Sequence, residues 1–146
     1  MSFSAADLEK TMNLSKRTIA WYAKNLGLGG AEGRGMTRSY SSMEVIAILS
    51  IHAVAGDKIA VPAAAGLAKV LMAECARMKV EPDAWGSFIF YKPPATPEGD
   101  VECYVARKPE DLVETIFDSS FVSIINVQKI LEDADYIVAM LEGRVQ

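Results

Sequence analysis

The sequence predicts an α+β fold, mostly helical in its first half and mixed in its second, and three observations predict it. Residues 4–55 hold three segments with helix-start signals, the second and third separated by a glycine-rich, basic stretch. Two short aromatic and β-branched runs, residues 87–91 and 101–105, flank a proline-rich loop. The final periodic segment, residues 127–141, places Val127, Ile130, Leu131, Ala134, Ile137, Val138 and Leu141 on one helical face.

The first helix is expected over residues 4–12, with Leu8 and Met12 facing inward. Ser15 is suited to cap a second helix over residues 16–25, because its hydroxyl can accept a backbone N–H of the first turn. Ile19, with Tyr22 or Ala23, and Leu26 form that helix's buried stripe, and Gly27 is placed to end it. Gly29, Gly30, Gly33 and Gly35 then predict a loop and tight hairpin carrying Arg34 and Arg38 toward Tyr40. Ser41 and Glu44 match a capping box for a third helix over residues 42–55, whose Val45, Ile48, Leu49 and His52 recur at helical spacing. Pro62 fits the first turn of a fourth helix reaching Met78. Residues 80–87 read as a linker, after which come the two strands, a short helix over residues 109–117 and a third strand over residues 121–125. The apolar face of the last helix is expected to complete the core of residues 88–146.

The order of helix, tight turn, basic helix and basic ribbon is that of a winged helix-turn-helix, whose second helix enters the major groove while the ribbon grips the backbone. Thr18-Ile19 precedes the aromatic pair Trp21-Tyr22, Gly27-Leu28 follows, and Arg38-Ser39-Tyr40-Ser41 closes the ribbon. A helix pair from Met43 to about Met78, with Gly56 at its junction, comes next. In these residues the first half of the chain resembles the MerR family of bacterial transcription regulators. The resemblance implies double-stranded DNA as partner and makes Tyr22, rather than Trp21, the contact to the DNA backbone. Two features depart from the family pattern: Ala20 stands where the family carries arginine, and Glu81-Pro82-Asp83 interrupts a chain that the family continues as one long dimerising helix.

Charge divides the same way. The net charge is −4, yet residues 1–80 hold ten Lys/Arg against six Asp/Glu, and residues 81–146 hold five against thirteen. A DNA-binding surface needs local positive charge, not a basic whole protein. The expected organisation is a DNA-binding domain over residues 1–79, a linker over 80–87, and an acidic α+β domain over 88–146. The acidic half is read as dimerising, binding a small effector or engaging a protein partner. Neither long apolar stretch reaches the roughly 20 residues that span a bilayer, and the start lacks the basic and apolar regions of a signal peptide. Two cysteines are too few for a disulfide framework, so a reduced, cytoplasmic protein is expected.

Other constellations point away from catalysis. Residues 27–35 imitate a phosphate loop, but Glu32 occupies the position of a needed glycine and a helix precedes the segment. His52 is the only histidine and is assigned to the core or its boundary, so no metal or cofactor site is expected. Glu132, Asp133 and Asp135 read as a solvated helix face, and the protein is expected not to be an enzyme. The predicted DNA contacts are Ser15, Lys16, Arg17, Thr18, Tyr22, Lys24, Arg34, Arg38 and Tyr40. Two alternatives keep the fold: a DNA-architectural or excisionase-like factor of a phage or mobile element, and an interaction adaptor that has lost DNA binding.

Overall fold

The computed structural model describes residues 2–28, 39–55, 59–81, 86–94, 96, 99–118 and 123–144, with backbone alone at 117 and 118. The predicted glycine-rich ribbon, with Arg34 and Arg38, lies outside them, as do Gly56, residues 82–85 and the first two residues of the predicted third strand.

The chain is an α+β protein. Helices α1 (Ala5–Met12) and α2 (Lys16–Asn25) are joined by Asn13, Leu14 and Ser15. Asn13 takes the left-handed conformation that a tight turn requires, at φ 55°. Ser4 and Asp7 form a full capping box on α1, and their hydrogen bonds hold the exposed Asp7 carboxyl below its ordinary range. Helix α2 ends in a Schellman motif, with Leu28 N–H on the Ala23 carbonyl at 3.0 Å and Gly27 N–H on that of Lys24 at 3.2 Å. Gly27 supplies the positive φ of 66° that this motif places at its turning residue.

A two-stranded ribbon that no local sequence signal announces follows. Strand β1 (Ser2–Ser4) pairs antiparallel with β2 (Ser39–Ser41), so Phe3 sits opposite Tyr40 and both are buried. Three residues are too few to reveal an alternating pattern, and the partner strand lies far along the chain. Helix α3 (Ser42–Ala55) then begins at the predicted capping box, with Glu44 N–H on Ser41 Oγ and Ser41 N–H on Glu44 Oε2. It is buried on nearly every side, by Val45, Ile46, Ala47, Ile48, Ser50, Ile51 and Val54, not along a single stripe. Ser50 tolerates this because its hydroxyl donates to the Ile46 carbonyl one turn back, at 2.8 Å. Helix α4 (Val61–Val80) packs along α3.

Strands β3 (Phe88–Lys92), β4 (Glu102–Ala106) and β5 (Ser123–Asn126) form an antiparallel sheet ordered β4-β3-β5. Helix α5 (Pro109–Asp118) packs beside β4, and α6 (Val127–Leu141) follows β5 directly. Ile89, Tyr91 and Ile125 join the core built by the helices. Here one expectation is corrected. Helix α6 does not merely close the core of residues 88–146: it packs against α1, α3 and α4. The physical reason lies in α3, whose remaining apolar side needs cover, and in Ala134 and Ala139, small buried residues that allow close approach.

The sheet is tied to α4 by a buried carboxylate. Glu74 is 2% exposed. It accepts hydrogen bonds from Arg77 Nε at 3.0 Å and Ser87 Oγ at 2.6 Å. Arg107, just beyond β4, adds Nε at 3.0 Å and a second contact through Nη2. Arg77 Nη2 also donates to Ser87 Oγ, closing the network. Burial alone would push the Glu74 carboxyl up, but the bonds from Arg107, Ser87 and Arg77 outweigh it and hold the pKa at about 2, against 4.5 ordinarily.

The folded value lies below the unfolded one, so this stabilisation is complete above about pH 5 and lost as pH falls toward the folded value. The difference corresponds to about 3 kcal/mol at neutral pH. Glu74→Gln should therefore destabilise the protein by ~3 kcal/mol at pH 7, since it removes the charge that Arg77 and Arg107 share. It should also flatten the acid limb of the stability curve. Denaturant titrations between pH 2 and 7 measure both effects; a variant as acid-sensitive as the parent would show that other carboxylates govern acid unfolding. Arg107→Ala should cost less, because Ser87 and Arg77 still bond Glu74 Oε2 and only Oε1 loses its donors.

Candidate nucleic-acid interface

Helix α2 is anchored from one side and exposed on the other. Ile19, Tyr22, Ala23 and Leu26 turn inward to the core that includes Leu8 of α1. Adjacent residues on a helix point about 100° apart, so the opposite face must carry Lys16, Arg17, Ala20, Trp21 and Lys24. All five are exposed. Among the described residues, none forms an ion pair with Lys16, Arg17 or Lys24. The sequence itself supplies no carboxylate between Glu9 and Glu32. Among the described residues, therefore, no ion pair offsets the positive charge of this face.

The N-terminal end of α2 is firmly held. Ser15 Oγ accepts the Thr18 N–H at 3.1 Å and lies 2.9 Å from Thr18 Oγ1. Ser15, a predicted DNA contact, thus has its hydroxyl engaged in capping, while Lys16 and Arg17 project from the first turn. One turn on, Asn25 Nδ2 donates to the Trp21 carbonyl at 2.9 Å.

Two of the predicted contacts are buried in the protein. Tyr22 is only 7% exposed and Tyr40 only 2%. Tyr22 packs in the core and its hydroxyl lies 3.1 Å from His52 Nδ1, with the rings 5.9 Å apart and tilted by 47°. Burial raises the pKa of its phenol. Tyr40 is the cross-strand partner of Phe3 in the ribbon. Neither ring has surface to lay along a phosphate. The exposed aromatic is Trp21, at 47%. The sequence placed the two aromatics on different faces, but the choice between them belongs to the tertiary packing. Of the two places expected for His52, the structure gives the boundary: it is exposed at the rim of α3 and bonds Tyr22 from there.

Among the described residues, the remaining titratable groups form no second cluster. Cys75 and Cys103 are free thiols. Burial pushes Cys75 up to about 11 and raises Cys103, so neither is an activated thiolate. Among the described residues no group of three His, Cys, Asp or Glu could hold a metal ion. Glu132 accepts from Gln128, Asp133 from Lys129, and Asp135 pairs with Lys79 at 3.5 Å, as members of a solvated helix face do. No helix among the described residues is long and apolar enough to cross a membrane. No protein-family model matches the chain, and no curated protein matches it significantly.

The contrast between the aromatic neighbours is measurable. Tyr22→Ala should cost ~3–5 kcal/mol by emptying a core position, whereas Trp21→Ala should change stability by no more than about 0.5 kcal/mol. Tyr22→Phe, which removes only the hydroxyl facing His52, should cost about 1 kcal/mol. Chemical denaturation of the three variants gives the order directly, and a Tyr22→Ala protein as stable as the parent would return Tyr22 to the surface.

Proposed function

We propose that this chain is a sequence-specific DNA-binding transcription regulator that uses a winged helix-turn-helix of the MerR type. The observation that carries the reading is the exposed basic face of α2, without an ion pair among the described residues, on a helix whose other side is fixed in the core. The three-residue turn between α1 and α2, with its left-handed Asn13, supports it, because this is the short connection through which a helix-turn-helix sets its recognition helix. In this reading Lys16, Arg17 and Thr18 approach base edges from the N-terminal end of α2, and Lys24 approaches a phosphate. Arg34 and Arg38 extend the contact along the backbone through the segment before β2. The α3–α4 pair and α6 form the scaffold that holds α2 at a fixed angle. A homodimer would set two α2 helices on half-sites one helical turn apart, and the reading takes such an assembly as its operator geometry.

Selection of bound sites from a random double-stranded library tests this function and reports half-site symmetry at once. Enrichment of a pseudo-palindromic motif supports a dimeric regulator; no enrichment and no shift of DNA in a gel would leave the adaptor alternative. Changes in a few neighbouring transcripts on deletion distinguish a regulator from an architectural factor, whose loss alters recombination instead.

With a motif in hand, Lys16→Ala combined with Arg17→Ala should weaken specific binding more than non-specific binding, by ~1–3 kcal/mol for each base-edge hydrogen-bonding pair removed. Equal weakening on both kinds of DNA would assign the two residues to phosphates alone. Arg38→Ala should weaken all sequences alike and reduce the magnitude of the slope of log K against log salt by about one. An unchanged slope in the folded variant removes Arg38 from the interface.

A further inference from the structure

The centre of the exposed α2 face is apolar although its ends are charged. Residues four apart share a helical face, so Lys16, Ala20 and Lys24 form one row and Arg17 and Trp21 another, with Thr18 beside Trp21. Between the cations the polar groups each already hold one intramolecular hydrogen bond. Thr18 Oγ1 is 2.9 Å from Ser15 Oγ, and Asn25 Nδ2 is bonded to the Trp21 carbonyl. The largest surface that the centre of the face offers a ligand is apolar, the Ala20 methyl and the indole of Trp21, whose ring N–H is its single donor. Arg17, Thr18 and Trp21 border a depression of about 350 Å³.

We propose that this face reads thymine through its 5-methyl group, with Trp21 the specificity-determining residue; the inference rests on the DNA-binding function proposed above. In the major groove the thymine methyl is the only apolar group on any base edge, and it lies beside the O4 acceptor. An indole offers the two matching features, an apolar ring and one donor. Cytosine presents an amino donor and no methyl at the same place, so it leaves both unmatched. An apolar centre between cations also fits the groove, because Lys16, Arg17 and Lys24 can reach phosphates or a flanking guanine while the indole meets the base. Removal of a half-exposed indole from water gives the contact its driving force.

The test uses the full chain and the best site from the random-library selection, with each thymine replaced in turn by uracil, which removes the methyl and keeps every hydrogen-bonding group. Fluorescence anisotropy at fixed salt should show about a fourfold loss of affinity, the value of one buried methyl, at one or more positions in each half-site. Replacing that thymine by cytosine should weaken binding further, and 5-methylcytosine should recover the methyl's share. In Trp21→Ala the thymine-to-uracil ratio should fall to one at those positions with the salt slope unchanged, and Trp21→Phe should restore part of the ratio. Uracil tolerated at every position in an otherwise sequence-specific complex overturns the thymine reading and leaves DNA binding standing. A ratio that survives in Trp21→Ala overturns the role of Trp21. Absence of any sequence-selective binding overturns both the inference and the function beneath it.

Discussion

Because Val45, Ile46, Ala47, Ile48, Ser50, Ile51 and Val54 withdraw almost the whole circumference of α3 from water, that helix needs neighbours in nearly every direction. It finds them in α2, α4, α6 and the ribbon strand β2. This requirement organises the molecule. Helix α2 can present a charged face outward because its apolar side is committed to the core. Helix α6, encoded last, becomes structural to the first half of the chain because the last open side of α3 is large enough to take it. The basic and acidic halves of the sequence consequently share one continuous core.

Glu74 solves a second problem, that of joining a sheet to a helical core. The inward residues Ile89, Tyr91 and Ile125 supply apolar contact, which has no direction of its own. A desolvated carboxylate does have direction, since every oxygen must find a donor. Arg77 comes from the same helix, Ser87 from the residue before β3 and Arg107 from the residue after β4. One buried side chain thus fixes both strands of the hairpin, at their shared open end, relative to α4. A role of this kind exacts an acid sensitivity, and the low pKa of Glu74 expresses it.

The candidate interface follows the same logic of commitment. Trp21 and Tyr22 are neighbours in sequence and opposites in space: the core takes Tyr22, whose hydroxyl finds His52 at the rim, and Trp21 is left outside. The α2 face therefore carries a half-exposed indole among its cations. The residues with their polar groups engaged, Ser15, Thr18 and Asn25, stiffen the platform on which Lys16, Arg17 and Trp21 stand.

The sequence by itself determined the local events. The caps at Ser15 and Ser41, the stop at Gly27, the bounds of α2 and α3, and the apolar face of α6 all come from signals within a few residues of one another, where spacing dictates geometry. The exposed cations of α2 were legible for the same reason. Tertiary structure decided what depends on residues distant in the chain: the pairing of β1 with β2, the docking of α6 on α1, α3 and α4, the burial of Tyr22 and Tyr40, and the donors around Glu74. A periodic pattern states that a face must be covered but carries no mark of what covers it. That choice is made by shape and by hydrogen-bond satisfaction across the whole core, where only the folded chain brings the partners together.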